Sequence, residues 1–215
     1  MELEKIIKIV IAIHAISGAC SLIFGAGAIL AKKGGGFHKL AGKLFYHSML
    51  FSAICAVAVS VSPKHHSAFL FSLGVFTIYL LIGGKRSILY KGSDYNILYD
   101  KILAWLMLLC GSAMVVLPQL INSKFNIVLL VFGSVGVLHA IFDFMNLNNP
   151  ERLKVNYLRL HIIKMLGGYI AVVSAFMVVN NFLPGIWNWF AASFVGVPYI
   201  IYHLRSLRMR TMNVT

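Results

Sequence analysis

Seven apolar runs, roughly residues 6–31, 40–61, 68–84, 102–121, 126–147, 158–183 and 186–204, fill nearly all of a 215-residue chain. Each is about the ~17–25 residues that a helix needs to cross a hydrocarbon core. The sequence therefore predicts an all-α integral membrane protein, a single seven-helix bundle over residues 1–215. No stretch between the runs is long or polar enough to form a separate soluble domain.

Charge placement fixes the expected orientation. With alternating crossings, fifteen of the nineteen Lys and Arg residues fall on one face, and only Lys5, Lys8, Lys64 and Lys124 fall on the other. Positive residues in short loops collect on the cytoplasmic side, so the N-terminus is expected outside and the C-terminus in the cytoplasm of a cytoplasmic (inner) membrane. Six crossings would break the alternation and scatter the charges. The formal net charge of +13 thus reads as a topology signal and an attraction to anionic lipid headgroups. A nucleic-acid partner, the other reading of a basic chain, would call for a basic run with interleaved aromatics away from the spans, and there is none.

The first run holds the small-residue stretch Ser17-Gly18-Ala19-Cys20, but it is longer than the ~7–15 residues of a signal-peptide core, and the charges of Glu2, Glu4, Lys5 and Lys8 cancel. It is expected to stay in the mature protein. Cys20, Cys55 and Cys110 lie in three different runs without metal-ligand spacing, which points to packing.

The halves of the chain echo each other. His14-Ala15-Ile16 returns as His139-Ala140-Ile141 and Lys39-Leu40-Ala41-Gly42 as Lys164-Met165-Leu166-Gly167, both at an offset of 125, while Gly74-Val75 returns as Gly196-Val197 at 122. Helices one and five would both run inward, so a duplication would be a parallel 3+1+3 repeat. Gly18, Gly25, Gly27, Gly133, Gly136, Gly167 and Gly168 are placed where helices could approach closely. Gly34-Gly35-Gly36 lacks the context of a phosphate loop and reads as a turn.

Polar groups at membrane depth are the strongest functional clue, because they are costly there. At a rise of ~1.5 Å per residue, His47 and His139 both sit roughly 10–12 Å in from the cytoplasmic boundary. His161 and Asp143 lie about one turn in, His38 lies at the boundary, and His14 is nearer the outer side. His139 and Asp143 are spaced i, i+4 on one helix face. Asp143 is the one acidic residue well inside an apolar run, with Glu2, Glu4, Asp94, Asp100 and Glu151 all peripheral. It must be protonated, hydrogen-bonded to histidine, metal-bound, or paired with a base such as Lys43 or Lys164.

Two cofactor readings follow. Haem b would need two imidazoles at equal depth, His47 and His139, with Lys43 and Lys164 near its propionates. A transition metal ion, zinc or iron, would draw on His139, Asp143, His161 and His38, although these residues match no tight ligand motif. His65 and His66 in an outer loop, and His203 near Arg205, carry no assigned role. Trp187 and Trp189, with Asn180 and Asn181, read as an interface belt at the outer end of the last hairpin. Intramembrane serines such as Ser17, Ser60 and Ser174 lack a nucleophile motif.

Two segments carry a resemblance. His38-Lys39-Leu40-Ala41-Gly42-Lys43, followed by Phe45 and Tyr46, is similar to the H-(R/K)-x-x-G-(R/K) and aromatic motif of a family of bacterial multi-pass membrane proteins of unknown function. His161 to Gly167, leading to Ala175–Asn180 and a tryptophan-bearing last helix, resembles the same family, and together the segments span about residues 10–205. The resemblance implies the fold and the membrane but no activity. It singles out His38 and His161, whereas the depth argument prefers His47 and His139. Its Gly42 is expected to allow close helix packing.

The sequence reading is thus a histidine-lined site in the cytoplasmic half of the bundle, binding haem or a metal ion for redox or related chemistry. The alternatives are a small proton-coupled transporter using Asp143 and the histidines, or a structural protein without cofactor.

Overall fold

The apolar runs become seven helices: α1 (Glu2–Leu30), α2 (Gly36–Ser60), α3 (Ala68–Arg86), α4 (Ile97–Asn122), α5 (Ile127–Leu147), α6 (Pro150–Asn180) and α7 (Trp187–Met212). A short 3-10 turn, Ser87–Lys91, follows α3. The structure, a computed structural model, describes residues 2–92, 95–122 and 126–212, excepting the side chains of residues 122 and 210–212. Asp94 and Lys124, and the side chain of Arg210, lie outside the described residues. Among the described residues there is no strand, as the apolar pattern requires.

Six of the seven helices, α1 to α6, are long and apolar enough to cross a membrane. The last is not counted with them. Trp187, Asn188, Trp189, Pro198 and His203 dilute the apolar content of α7, although it is 26 residues long. Pro118 and Pro198 stand inside α4 and α7, which neighbouring groups can accommodate in membrane helices.

Helix ends follow capping rather than hydropathy. The sixth apolar run begins near residue 158, yet α6 starts at Pro150. The Asn149 side chain accepts from the Arg152 amide at 3.0 Å, Pro150 opens the helix, and Glu151 favours its positive end. The polar first turns are therefore helical without being apolar. At the far end Asn181 turns into the left-handed region at φ 49°, and its amide donates to the Met177 and Val178 carbonyls. The expected glycine turn lies between α1 and α2, where Gly34 has φ +78°.

Two compact units make up the fold, residues 1–79 with 104–141 and residues 80–103 with 142–215. In the first unit α1 and α2 pack antiparallel through small and polar side chains. His14 Nδ1 donates to the backbone and hydroxyl oxygens of Ser52, each at 2.9 Å, and the Ser52 hydroxyl donates back to the His14 carbonyl at 3.0 Å. Ser21, fully buried, lies against Met49 Sδ at 3.3 Å. His14 is thus a packing histidine, tied to its neighbour helix. In the same unit α4 and α5 meet at Gly111 and Gly133, where a Cβ on Gly133 would stand 2.7 Å from the Gly111 carbonyl oxygen. Here the expected close approach of small residues is present.

In the second unit α6 packs against the end of α3 and against α7. Cβ atoms on Gly167 and Gly168 would stand 3.4 Å and 3.3 Å from Leu80 and Leu81, and Gly196 of α7 lies under Ile170. Gly42 behaves differently from expectation. Among the described residues a Cβ there would meet nothing within 4 Å, so close packing does not account for that motif glycine.

Candidate functional site

Charged side chains collect in the second unit, where α3 ends, α4 begins, α5 ends and α6 passes. Asp143, on the last turns of α5, is 7 % exposed and Lys164, midway along α6, is 4 % exposed. Their Nζ and Oδ2 atoms are 2.5 Å apart. Of the partners that the sequence allowed Asp143, the structure selects Lys164. Space for the lysine comes from α3: a Cβ on Gly83 would stand 2.6 Å from Nζ, and one on Gly84 would stand 3.0 Å from the Lys164 Cβ. Two consecutive glycines therefore let the ammonium reach the carboxylate beneath the helix surface.

A second ion pair borders the first. Arg86, the last residue of α3, binds Asp100 in the first turn of α4 through two bonds, Nε to Oδ1 at 2.6 Å and an NH2 nitrogen to Oδ2 at 2.7 Å. The same NH2 nitrogen donates to the Asn96 carbonyl at 2.9 Å. This forked pairing uses the geometry that only guanidinium supplies. Asp100 is 5 % exposed. It stands at the start of α4, at the end of its apolar run as the sequence places it, and is nonetheless buried. Arg86 and Asp100 resemble ordinary interfacial charges in the sequence. The available signal was their opposite sign on either side of one short connection.

Between the pairs lies a small cavity. It is lined by Gly83, Ser87, Tyr90, Asp100, Asp143, Asn146 and Lys164 together with leucines, and offers about 10 Å³ to the centres of water-sized groups. That is room for about one water molecule. Tyr90, in the 3-10 turn, is 4 % exposed and lines the cavity together with Asp100. Its ring meets Tyr95 edge-on at 5.1 Å.

Surrounding bonds hold the backbone in place. The Gly84 carbonyl accepts from the Ser87 hydroxyl and from His161 Nδ1, each at 2.8 Å, which joins the end of α3 to α6. Asn146 donates to the Phe142 carbonyl at 2.7 Å and accepts from Asn156 at 2.8 Å, which joins the end of α5 to the start of α6. The Arg159 guanidinium lies 5.5 Å over the Phe142 ring. Chemically this is a cluster of two carboxyl groups and two basic side chains, almost wholly buried except for Arg86. Losing or gaining one proton there changes the net charge of a low-dielectric region.

Of the other candidate residues, Lys43, His38, His47 and His139 belong to the first unit. His38 Nδ1 donates to the Ala28 carbonyl at 2.9 Å, which ties the start of α2 to the end of α1. His47 lies on the exposed side of α2, edge-on to Tyr46 at 5.0 Å, and Lys43 one turn earlier is exposed as well. His139 is half-buried and faces Tyr79 edge-on at 6.5 Å. Among the described residues no group of three or more His, Cys, Asp or Glu side chains is arranged to hold a metal ion. His65, given no role from the sequence, is 3.2 Å from Glu4, and His203 packs on Tyr199 at 4.4 Å. No protein-family model, no curated protein and no solved structure matches this chain.

Proposed function

We propose that the chain is a seven-span protein of the cytoplasmic membrane, N-terminus outside, and that it is a small proton-coupled carrier with Asp143 as its proton-binding group. The observation that carries the second half is the buried Asp143–Lys164 pair beside a water-sized polar cavity. Protonating Asp143 removes the negative charge that the Lys164 ammonium bonds at 2.5 Å. The protonated and unprotonated states then favour different packings, and that difference couples proton binding to movement. A parallel repeat, supported by the sequence echoes, would supply two halves able to rock.

Support for the orientation is the charge asymmetry. Support for α7 as a crossing is the tryptophan pair at one end and Arg205 and Arg208 near the other, both common interface anchors. With a cysteine-free parent, a membrane-impermeant maleimide is expected to label His66→Cys from the periplasmic side and Arg208→Cys only after the membrane is opened. Labelling of Arg208→Cys from outside removes the seventh crossing.

The carrier reading is tested on reconstituted vesicles adsorbed to a capacitive electrode. A step from alkaline to mildly acidic buffer is expected to drive a transient charge movement and to raise an infrared band of a protonated carboxyl. Both signals should be absent from Asp143→Asn and from the double variant Asp143→Leu, Lys164→Met, which keeps the site neutral. A silent wild-type protein, or a transient that survives Asp143→Asn, sinks this reading. A Soret band in the purified protein would favour haem on His47 and His139 instead.

A further inference from the structure

The excess of basic residues attracts anionic headgroups in general, and at the start of α6 it takes a definite form. α6 is 31 residues long, about 46 Å at ~1.5 Å per residue, against a hydrocarbon core of about 30 Å. Its first two turns precede the apolar run that begins near residue 158, so in a crossing helix they fall at headgroup level. Leu153 and Leu160, 0 % and 3 % exposed, fix the inward side of these turns. The outward side carries Arg152 and Arg159, seven residues apart and both exposed. Half-exposed Ile162 and Leu166 continue the same stripe into the apolar run.

Arg159 is set apart from the other exposed cations by what holds it. Its guanidinium lies 5.5 Å over the Phe142 ring of α5, so the side chain is positioned by stacking and not by an acid. Among the described residues it forms no ion pair, and its N–H donors remain open to an incoming acceptor. Asp100 and Asp143 are already bound by Arg86 and Lys164. Glu151, the remaining described carboxylate of the second unit, is exposed in the first turn of α6 and pairs with neither arginine. A positioned guanidinium with an open fork suits a phosphate group, whose oxygens it can bind in pairs.

We infer that Arg159, stacked on Phe142, holds the phosphodiester of one anionic phospholipid, with Arg152 adding charge from the aqueous side. The acyl chain lies along Ile162 and Leu166. That apolar continuation is why the occupant is a lipid, since a soluble phosphate ester would leave both side chains uncovered. The site rests on α6 crossing the membrane and not on proton binding at Asp143, so it stands or falls apart from the carrier reading. Lys154 supplies the contrast. It is exposed like Arg159, but it lies two residues on from Arg152, about 200° round the helix and off the stripe.

The test is native mass spectrometry of the full chain in detergent, titrated with phosphatidylglycerol or with phosphatidylcholine of the same acyl chains. The first phosphatidylglycerol is expected to bind roughly tenfold more tightly than the first phosphatidylcholine. Arg159→Gln should abolish that preference, and Arg159→Lys, which keeps the charge without the fork, should lose most of it. Lys154→Gln removes the same charge from another side and should change the affinity by less than about twofold. Glycerol phosphate at the same concentration should not displace the lipid. Equal affinities for the two lipids, or an Arg159→Gln protein that keeps the preference, overturn the site. Equal losses in Arg159→Gln and Lys154→Gln reduce it to diffuse attraction and overturn it too. Displacement by glycerol phosphate overturns the lipid as occupant. None of these outcomes touches the charge movement that decides the carrier reading.

Discussion

Lys164→Met is expected to lower the stability of the detergent-solubilised protein by about 3–5 kcal/mol, and adding Asp143→Leu to it should return the protein to within about 1 kcal/mol of the parent. The asymmetry comes from desolvation. Both side chains are almost wholly buried and bond at 2.5 Å, so each cancels the electrostatic cost of the other. Removing the lysine alone takes from the buried Asp143 carboxylate the cation it bonds at 2.5 Å. Removing both leaves a volume that apolar side chains can fill. Equilibrium unfolding of the parent, both single variants and the double variant gives the coupling energy directly. If the losses from the single variants simply add in the double variant, the pair does not act as a unit, and the idea that proton binding at Asp143 redistributes packing loses its basis.

Gly133→Val is the second large effect expected, and it acts through shape alone. A Cβ at that position would stand 2.7 Å from the Gly111 carbonyl oxygen and 2.9 Å from both Met114 Cβ and Val115 Cγ2. Gly111 is placed in the same way, 2.9 Å from the Gly133 carbonyl oxygen. The nearest atoms on both sides are backbone, which cannot turn aside as a side chain can. Even one added methyl should cost about 1–3 kcal/mol, and the branched valine more, because α4 and α5 must separate along the crossing. The control is Gly42→Ala. That position is open, so alanine should be neutral or stabilise the helix by about 0.5–1 kcal/mol. Thermal denaturation followed by circular dichroism separates the two. Equal melting temperatures for Gly133→Val and the parent would contradict the close crossing.

Much of the candidate site was readable before any fold was known, and the rest shows where such reading stops. Asp143 stood out because an acidic residue inside an apolar run is costly wherever the run goes. Lys164 was one of two bases offered as its partner, but Lys43 had the same chemistry and a similar depth. The structure leaves Lys43 exposed on α2 and seats Lys164 beneath Gly83 and Gly84. Nothing in the spacing of a sequence measures that clearance. Arg86 and Asp100 were passed over because each sits at the edge of a run, where charges are usual. A tyrosine near an interface, such as Tyr90, is ordinary and carries no signal in the sequence. Asp100 and Tyr90 become informative only once they are seen to line one cavity with Asp143, and Arg86 once it is seen to bind Asp100.

His38, His47, His139 and His161 illustrate the same limit from the opposite direction. Depth along the helices grouped them, since rise per residue is a property of the chain alone. Azimuth around each helix was not available, and azimuth decides partners. His38 and His161 each donate to a backbone carbonyl of a neighbouring helix, which is a packing use of imidazole that needs no cofactor.

The sequence by itself determined that this is a helical protein for an apolar solvent, since long uninterrupted runs allow the backbone little else in lipid. It also determined which carboxylate could not stand alone. Only the tertiary structure decided which cation answers it, that a second forked ion pair and a tyrosine lie beside it, and that space for about one water remains among them. The reason is geometric: hydropathy and spacing act along the chain, while pairing and cavities depend on helix rotation and on close approach at particular glycines. Those are properties of contacts between distant segments.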